Sequence, residues 1–546
     1  MTDTIEADGG RLAAEVLRRH DVDTVFTLSG GHLFPLYDGC VKTDVRLVDT
    51  RHEQTATFAA EGWAKVTRRP GVAALTAGPG VTNGVSAMTA ASMNGSPLLV
   101  IGGRAPHARW GAGSLQELDH IPIVSSITKH AATLAAPDDL PGGVDRALRA
   151  ACSAHRGPAF VDIPLDAWGV VTAAIPDAPD LAELAGDTPD PEQVRAVARL
   201  LAEAARPVLM VGGDVFWARA EEPLRTLVET ARVPAFANGM GRGLLPADHE
   251  LAFSRARRAA LKEADLVVVA GTPLDFRLGF GSFGAGVPVV HLCDAPESVS
   301  TNVELAASTA GDLQRTLADL AEAISRVPGT FDHEAWIGRL RDEEKARRAG
   351  EADALEAEAS PIRPSRVYGE LCRRLDRDAI VIGDGGDFVS YAGKYIDTFT
   401  PGCFLDPGPY GCLGMGAGYA LAAGLAAPRR QVVVLFGDGA VGFSLGDLDT
   451  LARFDVDVVA IVGNNGIWGL EKHPMQMIFG YDVAADLRPG TRYDEVATAL
   501  GGSGELVTEA DEIGHALDRA FATRGLALVN VITDPADAYP RSSNLA

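Results

Sequence analysis

The chain has 546 residues, 47% of them hydrophobic and 22% charged, with a formal net charge of −24. That composition can fill large apolar cores in about three domains of 150 to 200 residues each. Its acidic balance argues against nucleic-acid and membrane partners, although a locally basic pocket can still take an anionic substrate.

The N-terminus, MTDTIEADGG, has neither a basic segment nor an apolar one, so it does not read as a signal peptide. No apolar run reaches the roughly 18 residues that a membrane span needs. Cys40, Cys152, Cys293, Cys372, Cys403 and Cys412 are scattered without a CxxC pair. They read as reduced thiols, and the expected location is cytoplasmic.

Along the chain, short β-branched runs alternate with Ala/Leu-rich helical stretches. DTVFTL, VAALTA, PLLVIGG and AFVDIP come first. PVLMVGG, LVVVAG and VPVVHLC follow, and then AIVIGD, QVVVLFG, VVAIVGN and ALVNVIT. Continuously apolar strands of this kind are buried on both faces, as in parallel sheets covered by helices. The expected class is α/β with three open parallel-sheet domains. A Pro/Asp/Ala-rich stretch near 173–193 and a charged helical stretch ending in prolines near 341–365 read as linkers. They divide the chain into 1–172, 190–340 and 360–546. No short-period repeat is visible.

Two motifs carry chemistry from the residues alone. The run VVVLFGDGA drives an apolar strand straight into Gly437-Asp438-Gly439, and the next strand ends at Asn464-Asn465-Gly466. Strand ends of open parallel sheets are where such folds bind ligands. A carboxylate and an amide oxygen from neighbouring strand ends are hard ligands, suited to Mg²⁺ that keeps positions for phosphate oxygens. The flanking glycines let the backbone approach a diphosphate. Gly-Asp-Gly alone is most simply a tight turn; the spaced pair is not.

Together these motifs resemble the thiamine diphosphate enzymes of the acetolactate synthase, oxalyl-CoA decarboxylase and 2-hydroxyacyl-CoA lyase group, and the resemblance covers essentially the whole chain. It implies a pyrimidine-binding domain (1–172), a central Rossmann-like nucleotide- or CoA-binding domain (190–340) and a diphosphate-binding domain (360–546). It also implies Mg²⁺ held by Asp438, Asn465 and the Ile467 carbonyl, with Gly385, Gly386, Gly437, Gly439 and Ala440 around the diphosphate. DTRHEQTATFAAEGWAK gives Glu53 the role of cofactor activator: it shares a proton with N1′ of the aminopyrimidine and favours the imino form. TAGPGVTNG, which contains Asn83, is implied to lie beside the partner subunit's cofactor. GPYGCLGMGAG is implied to lie under the aminopyrimidine, with the Gly411 carbonyl accepting from the amino group. Leu413 is then either the wedge that bends the cofactor or an ordinary core leucine. Because Glu53 and Gly-Asp-Gly of one site come from different chains in this family, the implied assembly is a homodimer or homotetramer.

Gln116 in GSLQELDH resembles a family active-site glutamine. Ser29, Gly30, Gly31 and His32 end the first strand and could face the reacting carbonyl, or His32 could simply start a helix. Glu471, shortly after the metal-binding asparagine, is a candidate acid/base; the alternative is a surface pair with Lys472. Arg255, Arg257, Arg258, Lys262 and Arg277 form a basic cluster, of which Arg255 and Arg277 are the candidates for a CoA contact. Arg258 and Lys262 read equally well as a solvated helix face. The ending YPRSSNLA adds Arg541 and Asn544 as candidate substrate contacts and resembles the tail of 2-hydroxyacyl-CoA lyases.

The first reading is therefore a thiamine diphosphate- and Mg²⁺-dependent lyase that cleaves a 2-hydroxyacyl-CoA to formyl-CoA and an aldehyde or ketone. The alternative is an acetolactate synthase-like carboligase acting on pyruvate or another 2-oxo acid. ADP or FAD in the central domain is left open. A nicotinamide dehydrogenase is disfavoured because no clean GxGxxG with a matching acid follows a first strand.

Overall fold

The structure, a computed structural model, describes residues 4–179, 184–284, 286–327 and 332–539. Strand β1 (Thr4–Asp8) opens the chain. Next come β2 (Thr24–Thr27), β3 (Arg46–Asp49), β4 (Gly71–Leu75), β5 (Leu98–Arg104), β6 (His130–Thr133) and β7 (Pro158–Pro164), which form a parallel sheet in the order β3-β2-β4-β5-β7-β6. Strand β8 (Val170–Ala174) returns antiparallel to β1.

A central sheet takes β9 (Pro207–Val211), β10 (Ala235–Ala237), β11 (Ala252–Phe253), β12 (Leu266–Ala270), β13 (Val289–Cys293) and β14 (Ala307–Ala310). Its order is β11-β10-β9-β12-β13-β14, the doubly wound arrangement. The third sheet takes β15 (Ile380–Asp384), β16 (Phe404–Leu405), β17 (Val432–Gly437), β18 (Val458–Asn464), β19 (Ser503–Val507) and β20 (Leu526–Ile532), in the order β16-β15-β17-β18-β20-β19. The expected α/β class with three open parallel sheets is what the chain adopts.

Every strand expected from an apolar run is present. Val432 through Phe436 of β17 are no more than 3% exposed, which is why the run reads as continuously apolar. Burying each such Val, Leu or Phe contributes about 1.5 to 3 kcal/mol. The strands without an apolar signature are mostly at sheet edges: β3, β6, β14 and β19 keep partly exposed residues. A single 22-residue helix, Glu334–Leu355, runs through the boundary placed at 340; its Trp336, Ile337 and Leu340 are buried in the central core.

The first and third sheets meet through two helices, Glu53–Thr67 and Gly416–Ala426. Both are rich in Ala and Gly, so the backbones approach closely. A Cβ on Gly62 would lie 2.9 Å from Tyr419 Cα, and one on Gly418 would lie 2.8 Å from the Thr55 carbonyl oxygen. Between the helices sits a buried triad of one ion pair and a phenol. Lys65 Nζ is 3.0 Å from Glu61 Oε1 and donates to Tyr419 Oη at 2.7 Å. Asn94 and Ser96 also donate to Glu61 Oε1, at 2.9 and 3.0 Å. No described helix is long and apolar enough to cross a membrane, and the six cysteines form no disulfide.

Candidate active site

The carboxyl end of the third sheet assembles the residues singled out around Gly-Asp-Gly. β17 stops at Gly437, and Asp438 starts the short helix Asp438–Ser444. Its carboxylate is 4% exposed. It accepts from Gly439 N at 3.0 Å and from Gly466 N at 2.7 Å. Burial pushes the Asp438 carboxyl up to about 6, against the pull of those N–H donors. Neighbouring β18 is in parallel register, Gly437 beside Gly463, and delivers Asn465, whose Oδ1 accepts from Ile467 N at 3.1 Å. Gly386, Gly437, Asp438, Gly439, Ala440, Asn465, Ile467 and Glu471 line one cleft, along with Trp468 and Leu470. Gly385 stands at φ +147°, and a Cβ there would lie 2.9 Å from Gly437 N, so the two strand-end turns touch through backbone.

A residue not singled out in the sequence orders the loop beside this cleft. Asp384, the last residue of β15, is fully buried and accepts from Gly414 N at 3.0 Å and Gly416 N at 2.8 Å. Burial pushes its carboxyl up to about 7. The clamp spans the Gly408–Gly418 loop. Gly411 there is left-handed at φ +67°, and nothing stands near its missing Cβ. Leu413 is half-buried and joins none of the buried apolar clusters among the described residues, and its carbonyl accepts from Gln54 Nε2 at 3.1 Å. The ordinary-core alternative for Leu413 is therefore not supported.

Glu471 lies exposed in the first turn of the helix Gly469–Phe479. Its alternative partner is engaged elsewhere: Lys472 pairs with Asp482 at 3.2 Å and with Asp486.

At the carboxyl end of the first sheet the other candidates gather around the Thr76–Gly84 loop. Glu53 is the first residue of its helix, 7% exposed, and its Oε2 accepts from Asn83 Nδ2 at 3.0 Å. His32 is buried with Nδ1 3.2 Å from Thr76 Oγ1, and burial lowers its pKa. It lies within a short 3-10 turn, Gly31–Leu33. Gln116, left-handed at φ +59°, packs on Gly78.

The device that fixes this loop was not singled out from sequence. Gly78 N donates to His120 Nε2 at 3.0 Å, and His120 Nδ1 is 2.9 Å from Asp162 Oδ2. Since Nε2 accepts, Nδ1 carries the proton and Asp162 sets the tautomer. Arg104 donates to the same carboxylate oxygen at 2.7 Å. The signal available was a lone Asp inside the apolar run AFVDIP.

The basic cluster is rearranged relative to expectation. Arg255 is tied to Glu351 at 3.4 Å and Asp397 at 2.9 Å, and Arg277 to Asp275 at 2.6 Å. Both candidates thus have carboxylate partners within the chain. Among the described residues, Arg242 and Arg257 have none. Arg242 lies over the Phe404 ring at 4.4 Å and donates to the Gly393 carbonyl. Arg257 is held down to about 10 by burial and by Arg242 and Arg277. The two line a cleft of about 960 Å³ between the central and third sheets, together with Arg258, Arg347, Arg348 and Lys394. Arg541 and Asn544 lie outside the described residues.

Three family models fall on the three sheets in sequence order. The thiamine pyrophosphate enzyme N-terminal TPP binding domain matches 7–123, the central domain 194–320 and the C-terminal TPP binding domain 384–531. The chain belongs to the thiamine pyrophosphate enzyme family. Two relatives, "Probable acetolactate synthase" of Mycobacterium bovis and "Acetolactate synthase large subunit IlvG" of Mycobacterium tuberculosis, are each 54% identical over the full length of both chains. "2-hydroxyacyl-CoA lyase 2" of Caenorhabditis elegans is 36% identical, covering 97% of this chain and 90% of its own. Its human namesake is 35% identical, covering 92% and 86%.

The residues around Gly-Asp-Gly make a donor set that would fit a hard divalent ion. Asp438 is a desolvated carboxylate whose hydrogen-bond donors are backbone N–H groups, and the second ligand candidate is an amide oxygen. All-oxygen sets of this kind suit Mg²⁺ bridging to phosphate.

Proposed function

We propose that this thiamine diphosphate-dependent enzyme is an acetolactate synthase-like carboligase, which decarboxylates pyruvate or another 2-oxo acid and joins the fragment to a second 2-oxo acid. The observation that carries this reading is the 54% identity, over all of both chains, to two proteins named acetolactate synthases. The motif resemblance of the tail favours the lyase first, while Glu471 departs from both branches; the full-length relatives reverse that order.

Thiamine diphosphate, when bound, supplies a nucleophilic carbon and an electron sink for the fragment left by decarboxylation. The chain supplies the rest. Asp438, Asn465 and the Ile467 carbonyl would hold Mg²⁺, and the glycines 385, 386, 437 and 439, with Ala440, let backbone N–H groups reach the diphosphate. Glu53 would hold a proton against N1′ of the aminopyrimidine, its carboxylate oriented by Asn83. The Gly411 carbonyl would accept from the amino group, and Leu413 would press the two rings together. His32 and Gln116, on the loop side of the first sheet, would face the substrate carbonyl. Glu471, on the lip of the Asp438 cleft, would move a proton to or from the substrate oxygen.

Among the described residues, none from the first domain lines the Asp438 cleft, which supports a site completed by a second copy of the chain, in a homodimer or homotetramer whose partner brings Glu53.

A second reading, cleavage of a 2-hydroxyacyl-CoA to formyl-CoA and a carbonyl product, is favoured by one observation. Arg242 and Arg257, without carboxylate partners, line a wide interdomain cleft in a chain of net charge −24. Guanidinium groups of this kind suit the phosphates of CoA. One experiment separates the readings: the purified chain with thiamine diphosphate and Mg²⁺ receives pyruvate in one vessel and 2-hydroxyisobutyryl-CoA in another. Acetolactate with an untouched thioester supports the carboligase. Formyl-CoA and acetone with inert pyruvate overturn it in favour of the lyase.

A further inference from the structure

Away from the cofactor site, three ligand-type side chains converge where the first domain meets the carboxyl edge of the central sheet. His155 stands in the loop between the helix Asp139–Cys152 and β7. Asp214 follows β9, and Asp294 directly follows β13. The order of the central sheet reverses between β9 and β12, so this edge opens into the crevice that doubly wound folds use for ligands.

His155 Nδ1 is 3.1 and 3.2 Å from the two oxygens of Asp294 and 3.5 Å from Asp214 Oδ1. One ligand atom from each of the three lies within 4.8 Å of the others. Metal–ligand bonds of about 2.1 Å place neighbouring ligand atoms about 3.0 to 3.4 Å apart, so the three groups stand close enough to close on one ion with small side-chain shifts.

A second observation concerns the carboxylates themselves. Asp214 is 8% exposed and Asp294 2% exposed. Among the described residues, the Asp214 carboxylate accepts no hydrogen bond and pairs with His155 at 3.5 Å, and the only donor to the Asp294 carboxylate is His155 Nδ1. The nearby Lys129 ammonium donates instead to the Ser153 carbonyl and hydroxyl, at 2.7 and 2.9 Å. Two buried carboxylates that share one imidazole favour a positive charge between them, which protonated His155 or a bound metal ion can supply. A crevice of about 330 Å³, lined by His155, Asp214, Thr272, His291 and Cys293, gives room for water ligands to complete a shell.

We propose that His155, Asp214 and Asp294 bind a divalent first-row transition ion, of the Zn²⁺ or Mn²⁺ type, that fastens the first domain to the central one. The mixed imidazole and carboxylate set favours such ions over Mg²⁺ or Ca²⁺, which prefer oxygen alone. The site is independent of the reaction assigned above.

The test uses the full chain saturated with thiamine diphosphate and Mg²⁺, so that the Asp438 site is filled, and titrates Zn²⁺ by calorimetry. Expected is one site per chain, with affinity about a hundredfold weaker in both Asp214→Asn and His155→Gln. The melting temperature should rise with Zn²⁺ in the parent and not in either variant. Asp438→Asn, read in the same titration, should leave this Zn²⁺ site in place. Absence of a stoichiometric site in the parent, or unchanged affinity in both variants, overturns the proposal. If one variant fails to fold, the other and the parent's thermal shift still decide it.

Discussion

The first and third sheets are built to the same plan and end in different chemistry. Counting strands in chain order within each sheet, both run second, first, third, fourth, sixth, fifth. At the carboxyl edge of the first, side chains hydrogen-bond one another: Glu53 to Asn83, His32 to Thr76, His120 to Asp162. At the same edge of the third, glycines and backbone N–H groups surround the buried carboxylates of Asp438 and Asp384. One edge is suited to placing protons, the other to holding an anion and its metal. A shared topology thus supplies the strand ends, and the residues grafted there decide the chemistry.

That contrast is open to direct attack. Glu53→Gln should cost the most, about 10² to 10⁴ in kcat, with thiamine diphosphate affinity little changed; near-normal turnover would remove the first edge from proton handling. Asp438→Asn should show the opposite pattern, with the Mg²⁺ and cofactor concentrations needed for half activity raised about a hundredfold and turnover recovered at saturation. A kcat deficit that no cofactor concentration repairs would blur the distinction between the edges. Glu471→Ala should lower kcat about tenfold or more with cofactor affinity intact, and full turnover would withdraw its proton role.

A smaller effect belongs to Asp384, which tethers the loop of the third edge. Replacing it with Asn leaves one of its two N–H donors poorly matched and should cost about 1 to 3 kcal/mol of stability. The pH dependence has a definite sign. The folded chain keeps the Asp384 proton up to about pH 7, whereas the unfolded chain loses it near pH 4. Its contribution therefore falls as pH rises from about 4 to 7 and is level above. Melting temperatures of cofactor-free parent and Asp384→Asn, followed from pH 5 to 8, should converge as pH rises; a gap that widens would contradict the burial of this carboxyl.

How much of this was legible in the chain depends on what each element touches. β17 and β18 could be read because both faces are covered and every residue is apolar, whereas β6 and β19 lie at sheet edges with partly exposed faces and resemble loops. Asp438, Asn465 and Glu53 stood out because their chemistry needs particular residues at strand and helix ends, and the structure brings each to such an end. His120 and Asp162 did not stand out, since their meaning lies in a hydrogen bond across 42 residues. Arg255 looked available because Glu351 and Asp397 are far along the chain. Arg277 could have been read correctly, as Asp275 stands two residues away.

The triad of Lys65, Glu61 and Tyr419 bears on how this polypeptide could have been inherited. Tyr419 comes from the third domain, while Lys65 and Glu61 come from the helix that carries Glu53 at its tip. Were the gene split between the outer domains, the first fragment would carry an ammonium shaped for a phenol it no longer possessed, along with the apolar helix face beneath it. Such halves should be recovered together or scarcely at all, and lineages should exchange the helix Glu53–Thr67 and the helix Gly416–Ala426 as one unit.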